Sequence, residues 1–105
     1  MKRGQIRWYK FSHPNKKRPV LLLTRNSIIP YLGEVTIAPI TTTIRNIPSE
    51  VYLSKQDGMS RVCVINCDHI QTVSKSKIGA LITTISDNNM SMVSKSISFA
   101  LNLWQ

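Results

Sequence analysis

The sequence predicts a mainly β fold: a small, strongly bent antiparallel β-barrel with a C-terminal amphipathic helix. Three observations carry that expectation. Strand-like apolar patterns separated by short turns fill the first two-thirds of the chain. Near residue 87 the apolar spacing then changes to threes and fours, the period of a helix face. The third is length: 105 residues make one domain, 1–105. It buries roughly two-thirds of its unfolded surface and holds a core without metal or disulfide.

Residues 5–11 (QIRWYKF) alternate, with Ile6 and Trp8 on one face and Arg7 and Tyr9 on the other. Residues 12–18 (SHPNKKR) are a turn by composition, densely positive, expected above one mouth of the barrel. Residues 19–25 (PVLLLTR) are apolar on both faces, the pattern of a central buried strand. Residues 26–34 read as a loop with one helical turn broken at Pro30. A second buried strand follows at 34–40 (EVTIAPI), then a strand at 49–54 and a turn at 55–59 around Gly58. Strands are expected at 60–65 and 69–74, with a kink at Asn66, and 77–86 fits either a strand or a short helix. Over 87–104, Met90, Val93, Ile97, Leu101 and Trp104 form one helical stripe, with Asp87 as the N-cap.

Fourteen Lys and Arg face five Asp and Glu, a net charge of +9. Such a field attracts polyanions, and counterion release makes nucleic acid the default partner. An acidic protein partner fits the same charge. No apolar run approaches the ~18 residues of a membrane span. Met1-Lys2-Arg3-Gly4 leads directly into a strand pattern without an apolar signal region, so a cytoplasmic, membrane-free protein is expected. Cys63 and Cys67 fall in a strand-like run, where four residues span about 13 Å against the ~7 Å a disulfide allows. They are expected reduced and buried. His69 shares their parity, but ligands strung along one strand do not converge, so no metal site and no cofactor is expected.

Four segments then fall in order: KRGQIRWYKF, KKRPVLLLTR with Arg-Pro heading a buried strand, VTIAPITTTIR with Pro-x-Thr-Thr closing the next, and VINCDHIQTV. Together they resemble the MazF/PemK toxins of toxin–antitoxin systems, over nearly the whole chain. The resemblance implies an SH3-like, PemK-type barrel assembled as a homodimer. It implies a metal-independent, sequence-selective endoribonuclease leaving 2′,3′-cyclic phosphate and 5′-hydroxyl ends, and neutralisation by a cognate acidic antitoxin. By motif position it makes Arg18 and Thr41 the catalytic residues. Two departures stand out. The 12–18 loop is short and basic where many members have a longer one, and Gln71 stands where many carry arginine.

The chemistry agrees with that assignment. Cleavage by the RNA's own 2′-hydroxyl builds negative charge on phosphorus, and a guanidinium grips two phosphate oxygens at once. Its high pKa makes Arg18 a poor base. Thr41 would donate a hydroxyl hydrogen bond. His13, in the basic turn, is an RNA contact or auxiliary acid–base group, the plainer alternative being an exposed loop histidine. His69, on a strand, reads as structural. Lys16, Lys17, Arg25, Arg45 and Thr42 are candidate RNA contacts, as are Asn66 and Gln71. Asp68 either orients Arg18, reads a base, or is a buried carboxylate paired with an arginine of the barrel. A competing function is a non-enzymatic toxin of the same fold, like the gyrase-poisoning CcdB proteins. Those end in Trp-Gly-Ile, whereas this chain ends Leu103-Trp104-Gln105 and keeps the Arg-Pro and Pro-x-Thr-Thr segments. A plain RNA-binding barrel would need an exposed aromatic ladder, and seven aromatics are too few to line a core and a ladder both.

Overall fold

The computed structural model describes residues 1–12 and 16–103. Among these, seven strands precede one helix: β1 (Gln5–Lys10), β2 (Lys17–Leu22), β3 (Glu34–Thr41), β4 (Glu50–Leu53), β5 (Cys63–Asn66), β6 (Gln71–Ser74), β7 (Ile78–Thr84) and α1 (Asp87–Ala100). All strand pairs are antiparallel, in the order β4-β5-β3-β2-β1-β7, with β6 also on β3. The expected bent antiparallel sheet with a closing helix is the observed architecture.

The centre is the β2–β3 pair, in which Val20 faces Pro39, Leu21 faces Ala38 and Leu22 faces Ile37. Both faces of this pair are buried, because the bent sheet has a core on each side. Leu21, Ala38 and Ile40 join Ile6, Val51, Leu53, Ile65, Cys67 and Val93 in the core beneath α1. Val20, Leu22, Val35 and Ile37 join Tyr9, Ile29 and Val73 in the other. Strict alternation along β2 and β3 thus feeds two cores, which is why the sequence shows no polar face there.

Several boundaries differ from the sequence expectation, each for a local reason. The ambiguous segment 77–86 is strand β7, paired to β1 through two register shifts around Arg7. Pro30 lies inside the short 3₁₀ turn Ile29–Tyr31, near its start, where a missing N–H is harmless; it opens the turn rather than breaking it. The strand expected at 60–65 begins only at Cys63. The kink at Asn66 is a full 3₁₀ turn, Cys67–His69, so Cys67 and His69 are not strand residues. The helix is capped by Ser86, whose Oγ accepts from the Asn89 N–H at 3.1 Å; Ser86 is extended while Asp87 is already helical, so Asp87 serves as a first-turn acid. At the other end Asn102 turns left-handed (φ 54), and the Leu103 N–H reaches back to Ser98 O at 2.8 Å. The stripe therefore ends at Ala100: Met90, Ile97 and Ala100 pack against the core that holds the fully buried Val93, whereas Leu101 is exposed. Trp104 and His13 lie outside the described residues.

The free edges β4 and β7 are joined by side chains instead of a ladder. After β4, Ser54 caps the 3₁₀ turn Lys55–Asp57. Thr83 of β7 donates its hydroxyl to Asp57 O at 3.2 Å, and Asn89 of α1 donates to Asp57 Oδ1 at 2.9 Å. Gly58 allows this contact twice over. Its φ of +93° suits glycine, and a Cβ there would sit 2.3 Å from Thr83 Oγ1. Replacing Gly58 by alanine is expected to destabilise the fold by about 2 kcal/mol or more. A urea midpoint shift at unchanged slope checks it, and an unshifted midpoint contradicts it.

Candidate active site

β2 and β3 separate where prolines interrupt them. The Leu23 N–H bonds Thr36 O at 2.9 Å, and the register makes partner numbers sum to 59 (Val20 with Pro39). Narrow pairs recur every second residue, so the next ones fall at Leu21 with Ala38 and Pro19 with Ile40. Pro19 has no N–H to give, and the regular ladder ends before it. On its other side β3 changes partner: Glu34–Ile37 pair with β6, but Ile40 and Thr41 pair with β5. Pro39 lies in that gap, where the Cys67–His69 turn passes between β5 and β6.

The result is a cleft of about 240 Å³ lined by Arg18, Pro39, Ile40, Thr41, Thr43, Arg45, Asn66 and His69. Arg18 enters from β2 and is exposed; Thr41, half-buried, ends β3. Both lie beyond the last β2–β3 pair, Val20 with Pro39, and line the one cleft. The Thr43 N–H donates to Thr41 Oγ1 at 3.1 Å. That contact occupies an acceptor site of the Thr41 hydroxyl and leaves its proton free to donate. Arg45 is held by its backbone: the N–H groups of Arg45 and Asn46 both donate to Glu50 Oε1 at 3.0 Å, with Asn46 left-handed at φ 57.

Asn66 closes the far wall. It is 7% exposed, and its Oδ1 accepts from the Asp68 N–H at 3.0 Å while its Nδ2 lies 3.2 Å from His69 Nδ1. Asp68 is an exposed residue whose carboxylate accepts the Ser49 hydroxyl at 2.5 Å. Asp68 is therefore not the buried partner of an arginine; the 3₁₀ turn carries it outward. The two carboxylates nearest the cleft, Glu50 and Asp68, are thus bound to backbone N–H groups and to a serine. The polar groups lining the cleft are rich in donors: two guanidiniums, the Thr41 and Thr43 hydroxyls, the Asn66 amide and an imidazole. That is the lining of an anion site.

Of the residues picked out from the sequence, the cleft gathers Arg18, Thr41, Arg45 and Asn66. Thr42 instead lines an adjoining cleft of about 240 Å³, with Trp8, Pro19, Met59, Ser60, Arg61 and Cys63; the two clefts share Ile40 and Thr41. Trp8 is on the face expected for it but is 40% exposed, lying over this second cleft instead of in the core. Lys17 borders a separate depression beside Trp8, Lys10 and Lys77. Lys16 and Arg25 are exposed and line neither cleft; Arg25 is at the far end of β2, in the turn that follows it. Gln71 is exposed on β6 opposite Ile37, also outside the cleft. His13 lies outside the described residues. Thr43 and His69 were missed as site residues: Thr43 differs in no visible way from its neighbours, and His69 reads as structural only if it is placed on a strand.

Residues 2–101 match the family described as PemK-like, MazF-like toxin of type II toxin-antitoxin system. The chain belongs to this family. It is 36% identical to endoribonuclease MazF3 of Mycobacterium tuberculosis over 89 residues, 85% of this chain and 86% of that protein. It is 31% identical to probable endoribonuclease MazF5 of the same organism over 101 residues, 95% of this chain and 92% of that one. Among solved structures, the Mycobacterium tuberculosis toxin MazF-mt6 superposes with a TM-score of 0.88 at 33% identity, over 96% of this chain and 99% of that one. These matches to MazF endoribonucleases do not favour the gyrase-poison alternative.

The cysteines sit beside the site without facing it, both buried and unpaired. Burial, then the nearby Asp68 charge, pushes the Cys67 thiol up from 9.0 to about 11; burial, then Asp57, raises Cys63 as well. The raised thiol binds its proton more tightly folded than unfolded. Below pH 9.0 this costs nothing, and from there to about 11 the unfolded chain loses the proton first, so stability falls as pH rises. Unfolding midpoints across that window are expected to decline more steeply in the natural protein than in Cys67→Ala. Equal slopes would contradict the shift.

Proposed function

We infer that this chain is the endoribonuclease toxin of a type II toxin–antitoxin system, cutting RNA in the Arg18–Thr41 cleft by attack of the substrate's own 2′-hydroxyl. The observation that carries this reading is the convergence of Arg18, Arg45 and the free Thr41 hydroxyl proton on one cleft, in a chain of this family. In the step proposed, the 2′-oxygen forms a bond to phosphorus as the bond from phosphorus to the 5′-oxygen breaks. The 2′-hydroxyl passes its proton to solvent water and the departing 5′-oxygen takes one from it, so the step is proton-neutral overall. The products are a 2′,3′-cyclic phosphate and a 5′-hydroxyl.

Arg18 acts as a fixed cation across two non-bridging oxygens, where charge grows in the transition state. Thr41 donates to one of the same oxygens, its orientation set by Thr43 N–H. Arg45 takes a neighbouring phosphate of the strand, and the net charge of +9 steers RNA to the cleft. Because the nucleophile belongs to the substrate, no water has to be activated, and the reading is of a metal-independent reaction in the cytoplasm.

Two partners complete the proposal. The outer side of α1 and its end expose Met92, Phe99, Leu101 and Leu103, the kind of clustered apolar surface that partners cover. A second copy of the chain covers it, giving a homodimer. The cognate antitoxin covers the basic cleft with an acidic segment that folds on binding, associating fast and in a salt-sensitive way. The cognate antitoxin named with one mycobacterial endoribonuclease structure, a match at 24% identity, belongs to that protein.

Purified protein is expected to cut RNA in EDTA and to leave 5′-hydroxyl ends that polynucleotide kinase labels without prior phosphatase. Arg18→Ala is expected to lower the rate about 10³-fold and Thr41→Val about 10²-fold, both keeping the natural fold by circular dichroism. Full activity in Arg18→Ala would overturn the reading. Sedimentation at micromolar concentration is expected to show a species of twice 11.9 kDa, and a species of that single mass alone would remove the dimer.

A further inference from the structure

We propose that His69 is a further catalytic residue, a neutral imidazole that donates its Nε2 proton to a non-bridging oxygen of the scissile phosphate. The proposal rests on the reading of the Arg18–Thr41 cleft as the cleavage site, and goes beyond it by fixing what His69 does there. The Asp68 backbone N–H can only donate, so the Asn66 atom it meets at 3.0 Å is the amide oxygen. That settles which end of the amide is which. The other end, Nδ2, is 3.2 Å from His69 Nδ1. An amide nitrogen has no lone pair to offer, so Nδ1 must accept. A neutral imidazole that accepts at Nδ1 carries its proton at Nε2.

The rest of the wall makes this tautomer count. Asn66 is buried at the end of β5 and uses both ends of its amide on the Cys67–His69 turn. Asn66 is therefore a positioning residue, while the exposed His69 ring borders the cleft with Arg18 and Thr41. An imidazole held this way presents a donor, not a lone pair, so it is not the base that takes the 2′-proton. It joins Arg18 and the Thr41 hydroxyl as a third donor on the phosphate. The ring stands where the β5–β6 turn passes the Pro39 gap, which explains why a residue three positions beyond a strand end reaches a cleft built by β2 and β3.

The test has three arms. Nitrogen-15 spectra of the imidazole in the natural protein at neutral pH are expected to show His69 with Nε2 protonated and Nδ1 bare, and Asn66→Ala to lose that single form. An oligoribonucleotide spanning a cut site mapped in total RNA then serves as the kinetic substrate. His69→Ala is expected to lower kcat by about a hundredfold with little change in KM, whereas His69→Gln, whose amide still donates, keeps activity within about tenfold. Finally, sulfur placed at one non-bridging oxygen of the scissile phosphate weakens it as an acceptor. One of the two diastereomers is expected to slow the natural enzyme, and that slowing shrinks in His69→Ala, a coupling that a merely structural histidine would not produce. Full activity in His69→Ala while Arg18→Ala is dead overturns this proposal and leaves the cleft reading standing. Equal loss in His69→Gln and His69→Ala overturns the donor role, as does a bare Nε2. Full activity in Arg18→Ala overturns the cleft reading and this proposal together.

Discussion

The β2–β3 pair is the constraint on which the rest of the structure depends. Val20, Leu21 and Leu22 are fully buried beside Ile37 and Ala38. At about 25 cal/mol per Å² of apolar surface, each such side chain stabilises the fold by roughly 1.5–3 kcal/mol relative to exposure. Because both faces carry that burial, the pair cannot slip by one residue without exchanging the contents of two cores. Its register is therefore fixed, and so is the place where it stops. Pro19 ends the ladder on one side, and Pro39 marks the exchange of β6 for β5 on the other. The cleft is the opening left by those two interruptions.

The same geometry explains the polarity of the site. Ordinarily a strand end offers N–H and C=O groups in equal number. Here several acceptors are taken up from behind. Glu50 Oε1 receives the Arg45 and Asn46 amides, Asp68 receives the Ser49 hydroxyl, and Asn66 Oδ1 receives the Asp68 amide. Donors remain, on a protein already carrying +9. A cluster so rich in donors is a poor place for a neutral ligand and a good one for a phosphodiester.

Closure of the sheet depends on less. The β4 and β7 edges are linked through Asp57, which takes the Thr83 hydroxyl on its backbone oxygen and the Asn89 amide on its carboxylate. Thus one short turn connects both edges to the start of α1. The helix in turn rests on the core through Val93, with Met90 and Ile97 beside it. It covers the sheet on one side and leaves Met92 and Phe99 exposed on the other. The two sides of α1 differ: the inner completes the core, and the outer presents apolar side chains to solvent.

What the sequence determined by itself was periodicity and order. The doubly apolar runs at 19–25 and 34–40 named the central pair, because burial on both faces leaves no alternation to misread. The spacing from Met90 to Ile97 named the helix, and the family resemblance carried by the Arg-Pro and Pro-x-Thr-Thr segments pointed to Arg18 and Thr41. What only the tertiary structure decided was everything set by where pairing stops. Whether 77–86 is strand or helix depended on β1 being there to pair with it. Ser86 took the cap from Asp87 because helix entry is a matter of backbone angle, which both residue types tolerate. Lys16 and Arg25 looked like neighbours of the site through closeness in sequence to Arg18, and Gln71 through the position it shares with an arginine of many family members, but none of the three lines the cleft. His69 looked structural on an assumed strand, and a three-residue turn delivered it to the wall of the cleft instead. Sequence spacing reports which residues share a face; which faces meet is decided by long-range pairing, and a local pattern carries no record of it.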